Sequence, residues 1–329
     1  MKPYITSVIA VTVVVTVVFF AFLFENKNHP NFDIFKPVEE RDYWVEEIKT
    51  KGPTNAYQAF LSLNAKRPFG IQHDAAHVIG EALYIALGAK GVAVCDQAFS
   101  FGCYHGLFSF AISEHGTELV PLLDGECQKL KSDQGACQHG IGHGILQYFG
   151  YDRLNEALKA CGLAERIDEI SGCPSGVFME YNVPLVEGQD GFSEVVPRSF
   201  QEGNPYEPCG TVPNEFRASC YYELPQWWQR SFQDDYAVIG RLCAEIPDDE
   251  YIRGCFVKTG DLIAHNGQEN LDIVKELCSK MPTSYGEGAC LFSAAQTLWT
   301  FVWAPETKEV AADLCVYVRK YFSEERCNF

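Results

Sequence analysis

Residues 137–173 read CQHGIGHGILQYFGYDRLNEALKACGLAERIDEISGC. Cys137–Gly150 reads as one helix, Gly150-Tyr151-Asp152 as a turn, and Arg153–Cys161 as a second helix. A loop then leads to Cys173, where the pattern starts again. The unit is a helical hairpin framed by cysteines, and the other cysteines repeat the frame. Members of a pair are 8, 10, 12, 11, 12, 12 and 12 residues apart, and the gaps between pairs are 24, 24, 36, 23, 23 and 25. This is a period of about 34 residues with one insertion of about 12.

The alternation selects sequential disulfides: Cys95–Cys103, Cys127–Cys137, Cys161–Cys173, Cys209–Cys220, Cys243–Cys255, Cys278–Cys290 and Cys315–Cys327. Each would clip the loop between a second helix and the next first helix. Closing a loop of about 10 residues contributes about 2–3 kcal/mol in the chain-entropy model. No CxxC pair occurs, which argues against a zinc ribbon, and no CxxCH against covalent haem. Further along, Cys255–His265 reads as a first helix capped by Asn266-Gly267, followed by a second helix over Asn270–Cys278. Before the first pair, Pro37–Thr50 and Thr54–Asn64 read as helices separated by Gly52-Pro53, and Ile71 stands 24 residues before Cys95, the usual gap.

Segments such as Ala157-Leu158-Lys159-Ala160-Cys161 followed by Gly172-Cys173 resemble cysteine-paired tetratricopeptide-like repeats of the Sel1 type, as in the Helicobacter cysteine-rich proteins. The resemblance spans roughly residues 90–329 and implies an all-α stack of antiparallel helix pairs. It carries no functional residue. The expected architecture is an open solenoid of disulfide-clipped αα-hairpins, with a closed α/α toroid as the alternative.

The N-terminal segment bears on the compartment. Ile5–Phe24 is a run of 20 uncharged, mostly apolar residues, about 30 Å as a helix and enough for one bilayer core. Lys2 precedes it, favouring an inside N-terminus. The domains expected are a short cytoplasmic end (1–4), a transmembrane anchor (5–24), a tether (25–36) and an extracytoplasmic repeat domain (37–329), periplasmic or extracellular. Disulfides persist in such a compartment. With 26 Lys plus Arg against 44 Asp plus Glu, the net charge of −18 argues against a nucleic-acid partner. The expected partners are the membrane, through the N-terminal helix, and a protein or peptide ligand.

Five of the eight histidines lie in three consecutive first helices: His73 and His77, His105, His139 and His143. Counted from the cysteine position of each unit (Ile71 in the first), they occupy +2 and +6. The i, i+4 spacing places each pair on one helix face, where two imidazoles can chelate a transition metal such as zinc, copper or iron. Position +6 carries Met179 and Asp261 in later units, and position +10 carries Glu81 and His265. Such a polar stripe on otherwise apolar helices should line a cleft. Gly140, Gly142 and Gly144 interleave with the histidines, and Gly106 follows His105, which points to excluded bulk there. With helices 8–10 Å apart, the five histidines would need strong curvature or two metals to act together.

Asp74 and Glu81 are the candidate catalytic carboxylates. His73-Asp74-Ala75-Ala76-His77 has the spacing of a zincin motif with Asp for Glu, and Asp74 would otherwise orient a histidine. His115 reads as a helix end. The insertion at 183–207 is a candidate lid, and Tyr221, Tyr222, Trp227 and Trp228 are core candidates. Phosphate-loop and serine-hydrolase motifs are absent. Two functions fit: a metalloenzyme, hydrolase or oxidoreductase, working in the cleft, and a non-catalytic scaffold presenting a concave face to a peptide, glycan or protein.

Overall fold

A computed structural model describes residues 36–165, 170–187, 193–195, 198–267, 270–300 and 305–321. The expected span at 5–24, the tether up to residue 35 and Cys327 lie outside the described residues. The described chain is helical apart from one short hairpin.

The helices are α1 (Pro37–Lys51), α2 (Pro53–Asn64), α3 (Phe69–Leu87), α4 (Gly102–His115), α5 (Val120–Cys127), α6 (Gln134–Phe149), α7 (Leu154–Ala160) and α8 (Cys173–Asn182). Strands β1 (Leu185–Glu187) and β2 (Ser193–Val195) follow, antiparallel, with Leu185 opposite Val195. Then come α9 (Asn214–Ser231), α10 (Tyr236–Ala244), α11 (Asp249–Gly267), α12 (Leu271–Cys278), α13 (Ser284–Thr300) and α14 (Pro305–Val318). Four short 3-10 turns join or extend the helices, among them Gly88–Val94 after α3.

The first helices of successive units pack on one another in chain order: α3 on α4, α4 on α6, α6 on α8, α8 on α9, α9 on α11 and α11 on α13. The shorter second helices flank this row. Being covered on two sides by neighbours and on a third by their own partners, first helices are apolar on most faces. Ile79, Leu83, Leu107, Phe108, Ile141, Ile145, Val177, Phe178, Leu224, Ile263 and Leu298 are all buried. Each such side chain contributes about 1.5–3 kcal/mol of transfer free energy. Gly70–Val94, covering most of α3 and its 3-10 extension, is the one segment among the described residues long and apolar enough to cross a membrane. Its Ala75, Ala76, Ile79, Ala82 and Leu83 are buried against neighbouring helices.

Six of the expected disulfides are present, Cys95–Cys103 through Cys278–Cys290, each with Cα atoms 5.5–5.6 Å apart. Cys315 is also disulfide-bonded. Six disulfides suit an oxidising compartment outside the cytoplasm. Some expected boundaries move. Helix α11 starts six residues before Cys255 and its last described residue is Gly267, at the Asn266-Gly267 pair expected to end it. Asn270, expected as the first residue of the second helix, instead caps α12, accepting from the Asp272 and Ile273 amides at 3.1 Å.

Close approach of the first helices rests on glycine. A Cβ at Gly106 would overlap the His77 carbonyl, one at Gly176 the His139 carbonyl, and one at Gly142 the Cys173 carbonyl. The insertion is tied down from the side: Trp227 Nε1 donates to Arg198 O at 2.7 Å and Trp228 Nε1 to Pro205 O at 3.0 Å. Both indoles are fully buried, and Tyr221 nearly so, as core candidates should be.

Gly176→Ala should therefore destabilise the protein by at least the 1–3 kcal/mol typical of overpacking, about the upper end of that range. Gly125→Ala, in α5 with nothing within 4 Å of the added methyl, should be neutral or stabilising by up to about 1 kcal/mol. Chemical denaturation of both variants checks this, and equal effects would refute the close-contact account.

Candidate metal centre

The packing brings the five histidines of α3, α4 and α6 into one unbroken chain of rings. Centroids are 4.7 Å apart for His73–His77, 5.3 Å for His73–His105, 4.5 Å for His105–His143 and 4.9 Å for His139–His143. The expected gap between helices is removed by the glycine contacts, so no tight ring closure is needed. Two triads have ligand atoms mutually within 4.8 Å: His73, His77 and His105; and His105, His139 and His143. His105 belongs to both.

The hydrogen-bond network assigns the tautomers. His73 Nδ1 donates to the Phe99 carbonyl at 2.8 Å. His143 Nδ1 donates to Glu180 Oε2 at 2.8 Å, and Glu180 Oε1 also accepts from the Tyr151 hydroxyl at 2.5 Å. Ser175 gives its only proton to Glu223 Oε1 at 2.5 Å, so its oxygen must accept from His139 Nδ1 at 3.1 Å. With Nδ1 protonated, a neutral imidazole presents a lone pair at Nε2. His139 Nε2 and His143 Nε2 are nevertheless 3.0 Å apart; His73 Nε2 lies 3.1 Å from His77 Nε2, whose proton no outer partner fixes. In the His139–His143 pair two lone pairs face each other, and at that distance they repel unless a cation stands between them. The ligand edge of a tetrahedral site with metal–nitrogen bonds of about 2.0 Å is about 3.3 Å, close to these separations. His105 Nδ1 is buried without a hydrogen-bond partner among the described residues.

Burial is also what keeps these imidazoles neutral. It lowers the pKa of His73, and lowers those of His77, His105 and His139 well below the ordinary histidine value, with neighbouring rings adding to the effect. A neutral ring is the form that binds metal.

The carbonyl that orients His73 comes from an unusual turn. Phe99, Ser100 and Phe101 are consecutive non-glycine residues with φ of 51°, 54° and 60°. Left-handed backbone costs such residues about 1–2 kcal/mol each. The turn lies inside the Cys95–Cys103 loop, which fixes its ends.

His105, His139 and Met179 open onto a cavity of about 760 Å³, whose walls also include Tyr222, Glu223, Lys258, Asp261 and His265. Asp261 and His265 thus share a cleft with His105 and His139 of the histidine cluster. Lys258 Nζ is 3.1 Å from Glu223 Oε2 and 3.7 Å from Asp261 Oδ2. Burial alone would lower the Lys258 pKa, but Glu223 and Asp261 outweigh it and hold the ammonium above its usual range. Asp261 is in turn held below the ordinary carboxylate value by His265, Lys258 and Thr297, against the effect of its burial.

Other candidates fall elsewhere. Glu81 pairs with Arg41 at 3.4 Å and belongs to neither triad. Asp74 is raised to about 6 by burial, and the orienting bond on His73 comes from Phe99, not from Asp74. His115 ends α4 beside Tyr84, and His29 lies outside the described residues. The described part of the 183–207 insertion does not line the cavity. Ser175, Glu180, Glu223 and Lys258 were not anticipated. Ser175 stands at the +2 register, and Glu223 and Lys258 both stand at +3 of their units, opposite charges in one register of adjacent first helices.

No protein-family model, curated protein or solved structure matches the chain.

In the unfolded chain the four depressed imidazoles take up protons near pH 6.5; in the folded, metal-free protein they do so only at lower pH. Their contribution to stability is complete above about pH 6.5 and is lost as pH falls toward the folded values. Asp74, shifted up to about 6, works in the opposite sense but is one group against four. The Tm of the metal-free protein should drop between pH 7.5 and pH 5; a flat profile would contradict the burial of neutral rings.

Proposed function

We propose that this is a membrane-anchored, extracytoplasmic metalloprotein whose histidine cluster holds a transition-metal ion and serves chemistry on a small molecule in the adjoining cleft. One observation carries the reading: His139 and His143 have their Nδ1 protons committed to Ser175 and Glu180, and their Nε2 lone pairs converge at 3.0 Å beside His105. Metal-bound histidines characteristically donate the other ring proton to a carboxylate, hydroxyl or carbonyl, and this cluster has one of each.

The cavity of about 760 Å³ falls in the range for small-molecule sites, which favours an enzyme over a scaffold. The Ser175–Glu223–Lys258–Asp261 chain would hold its far wall rigid and charged next to the ligands. The order of helix contacts supports an open superhelical stack of the Sel1-like kind over a closed ring. The apolar run at 5–24 and the disulfides support an anchored domain outside the cytoplasm.

The full chain, expressed through a secretory route with zinc, copper and iron supplied, should carry about one metal ion or more per molecule by elemental analysis. His139→Ala/His143→Ala should lose most of it, and His115→Ala should keep it. A metal-free wild type, or metal retained in the double variant, would refute the assignment. Removing residues 1–24 should release the protein from membranes; continued pelleting with them would contradict the anchor.

A further inference from the structure

The cluster is not symmetric, and its two halves differ in donor type. The His73 side offers nitrogen only. On the other side Met179 Sδ lies 3.1 Å from His139 Nε2 and faces the same cavity as His105 and His139. Met179 occupies the +6 register of α8, the position held by His77 in α3 and His143 in α6. The row of potential ligands therefore runs on by one helix, with a thioether in place of an imidazole.

Resting on the metal-site reading above, we infer that His105, His139, His143 and Met179 form a copper(I) site. Three features of the molecule select this ion. The first is softness: a thioether suits copper(I), whereas zinc and iron in nitrogen–oxygen sites gain little from it. The second is charge. None of the four donors is an anion, and two of them are buried, His105 7% and His143 4% exposed, while His139 and Met179 face the cavity. Burying an ion costs steeply more for two charges than for one. Of the nearby carboxylates, Glu223 and Asp261 both turn toward Lys258, at 3.1 and 3.7 Å, and Glu180, bonded to His143 at 2.8 Å, is the one that touches a donor ring.

The third is the absence of thiols. The described cysteines are all in disulfides, so cysteine does not compete for a soft ion. In a compartment that oxidises thiols, methionine and histidine are the soft ligands that remain. The outer partners also restrain the donors. Ser175 and Glu180 hold His139 and His143 by Nδ1, so the rings cannot turn away from Met179.

The test uses the full chain in detergent, stripped of metal. Copper(I), kept reduced with ascorbate under nitrogen, is titrated in competition with bathocuproine disulfonate; zinc(II) is titrated separately against a chromophoric chelator. Met179→Leu should weaken copper(I) binding by about tenfold or more, the scale on which metal-site partners are felt, and leave zinc(II) affinity within about twofold. X-ray absorption of the copper(I)-loaded wild type should show a sulfur neighbour at about 2.3 Å, a typical metal–sulfur distance, lost in Met179→Leu. A thiol count on the unfolded protein excludes cysteine as its source.

Copper(I) held by nitrogen alone in the wild type would overturn the copper site and leave the metal reading standing. So would an unchanged copper(I) affinity in Met179→Leu. Failure to bind either ion would overturn both. The wild-type spectrum decides the matter even if the variant does not fold.

Discussion

The contact on which the rest of the molecule depends is backbone against backbone. Gly106 of α4 seats on the His77 carbonyl of α3, and Gly176 of α8 on the His139 carbonyl of α6. Side chains normally hold helices 8–10 Å apart. Where a glycine removes the Cβ, imidazoles on facing helices can meet directly, and here they meet on three successive helices. Glycine in a helix interior is unfavourable by about 1 kcal/mol relative to alanine. The surrounding apolar packing, and the disulfide clip at the start of the affected helices, offset that penalty.

From this approach follows an electrostatic conflict. His139 and His143, each with Nδ1 protonated toward a fixed acceptor, point their Nε2 lone pairs at one another. A structural role would be satisfied by rings that alternate donor and acceptor, and the Ser175–Glu223 bond denies that alternation to His139. The left-handed turn at Phe99–Phe101 adds to the picture, since its strain is borne at the residue whose carbonyl orients His73. The polar groups of the far wall are organised with equal economy: Lys258 answers two carboxylates, and Asp261 accepts from Thr297 at 2.8 Å while facing His265.

Much of this was legible in the chain. Cysteine spacing alone marks the hairpins, because each pair must bridge the loop between one second helix and the next first helix. The same count aligns the five histidines and places Met179 in their register. What spacing cannot convey is how a row of helices bends, so the meeting of His105 with Asp261 and His265 across one cleft was open. Glu180, Glu223 and Lys258 look like isolated charges on apolar helices until neighbours supply their partners. The turn at Phe99–Phe101 carries no glycine or asparagine to announce its φ, and the longer start of α11 is marked not by a cysteine but by Asp248, which accepts from the Glu250 amide at 3.1 Å. Glycines, by contrast, signalled excluded bulk correctly but left its cause, backbone or ligand, undetermined.

The central claim is that the facing Nε2 atoms share a cation. Anomalous diffraction from crystals of the protein loaded with copper or zinc, recorded on both sides of the metal's absorption edge, addresses it most directly. The account predicts a peak within about 2.0–2.3 Å of the Nε2 atoms of His139 and His143, with His105 completing the triad. A cluster without a peak, in crystals that show the same metal bound elsewhere on the protein, would contradict it.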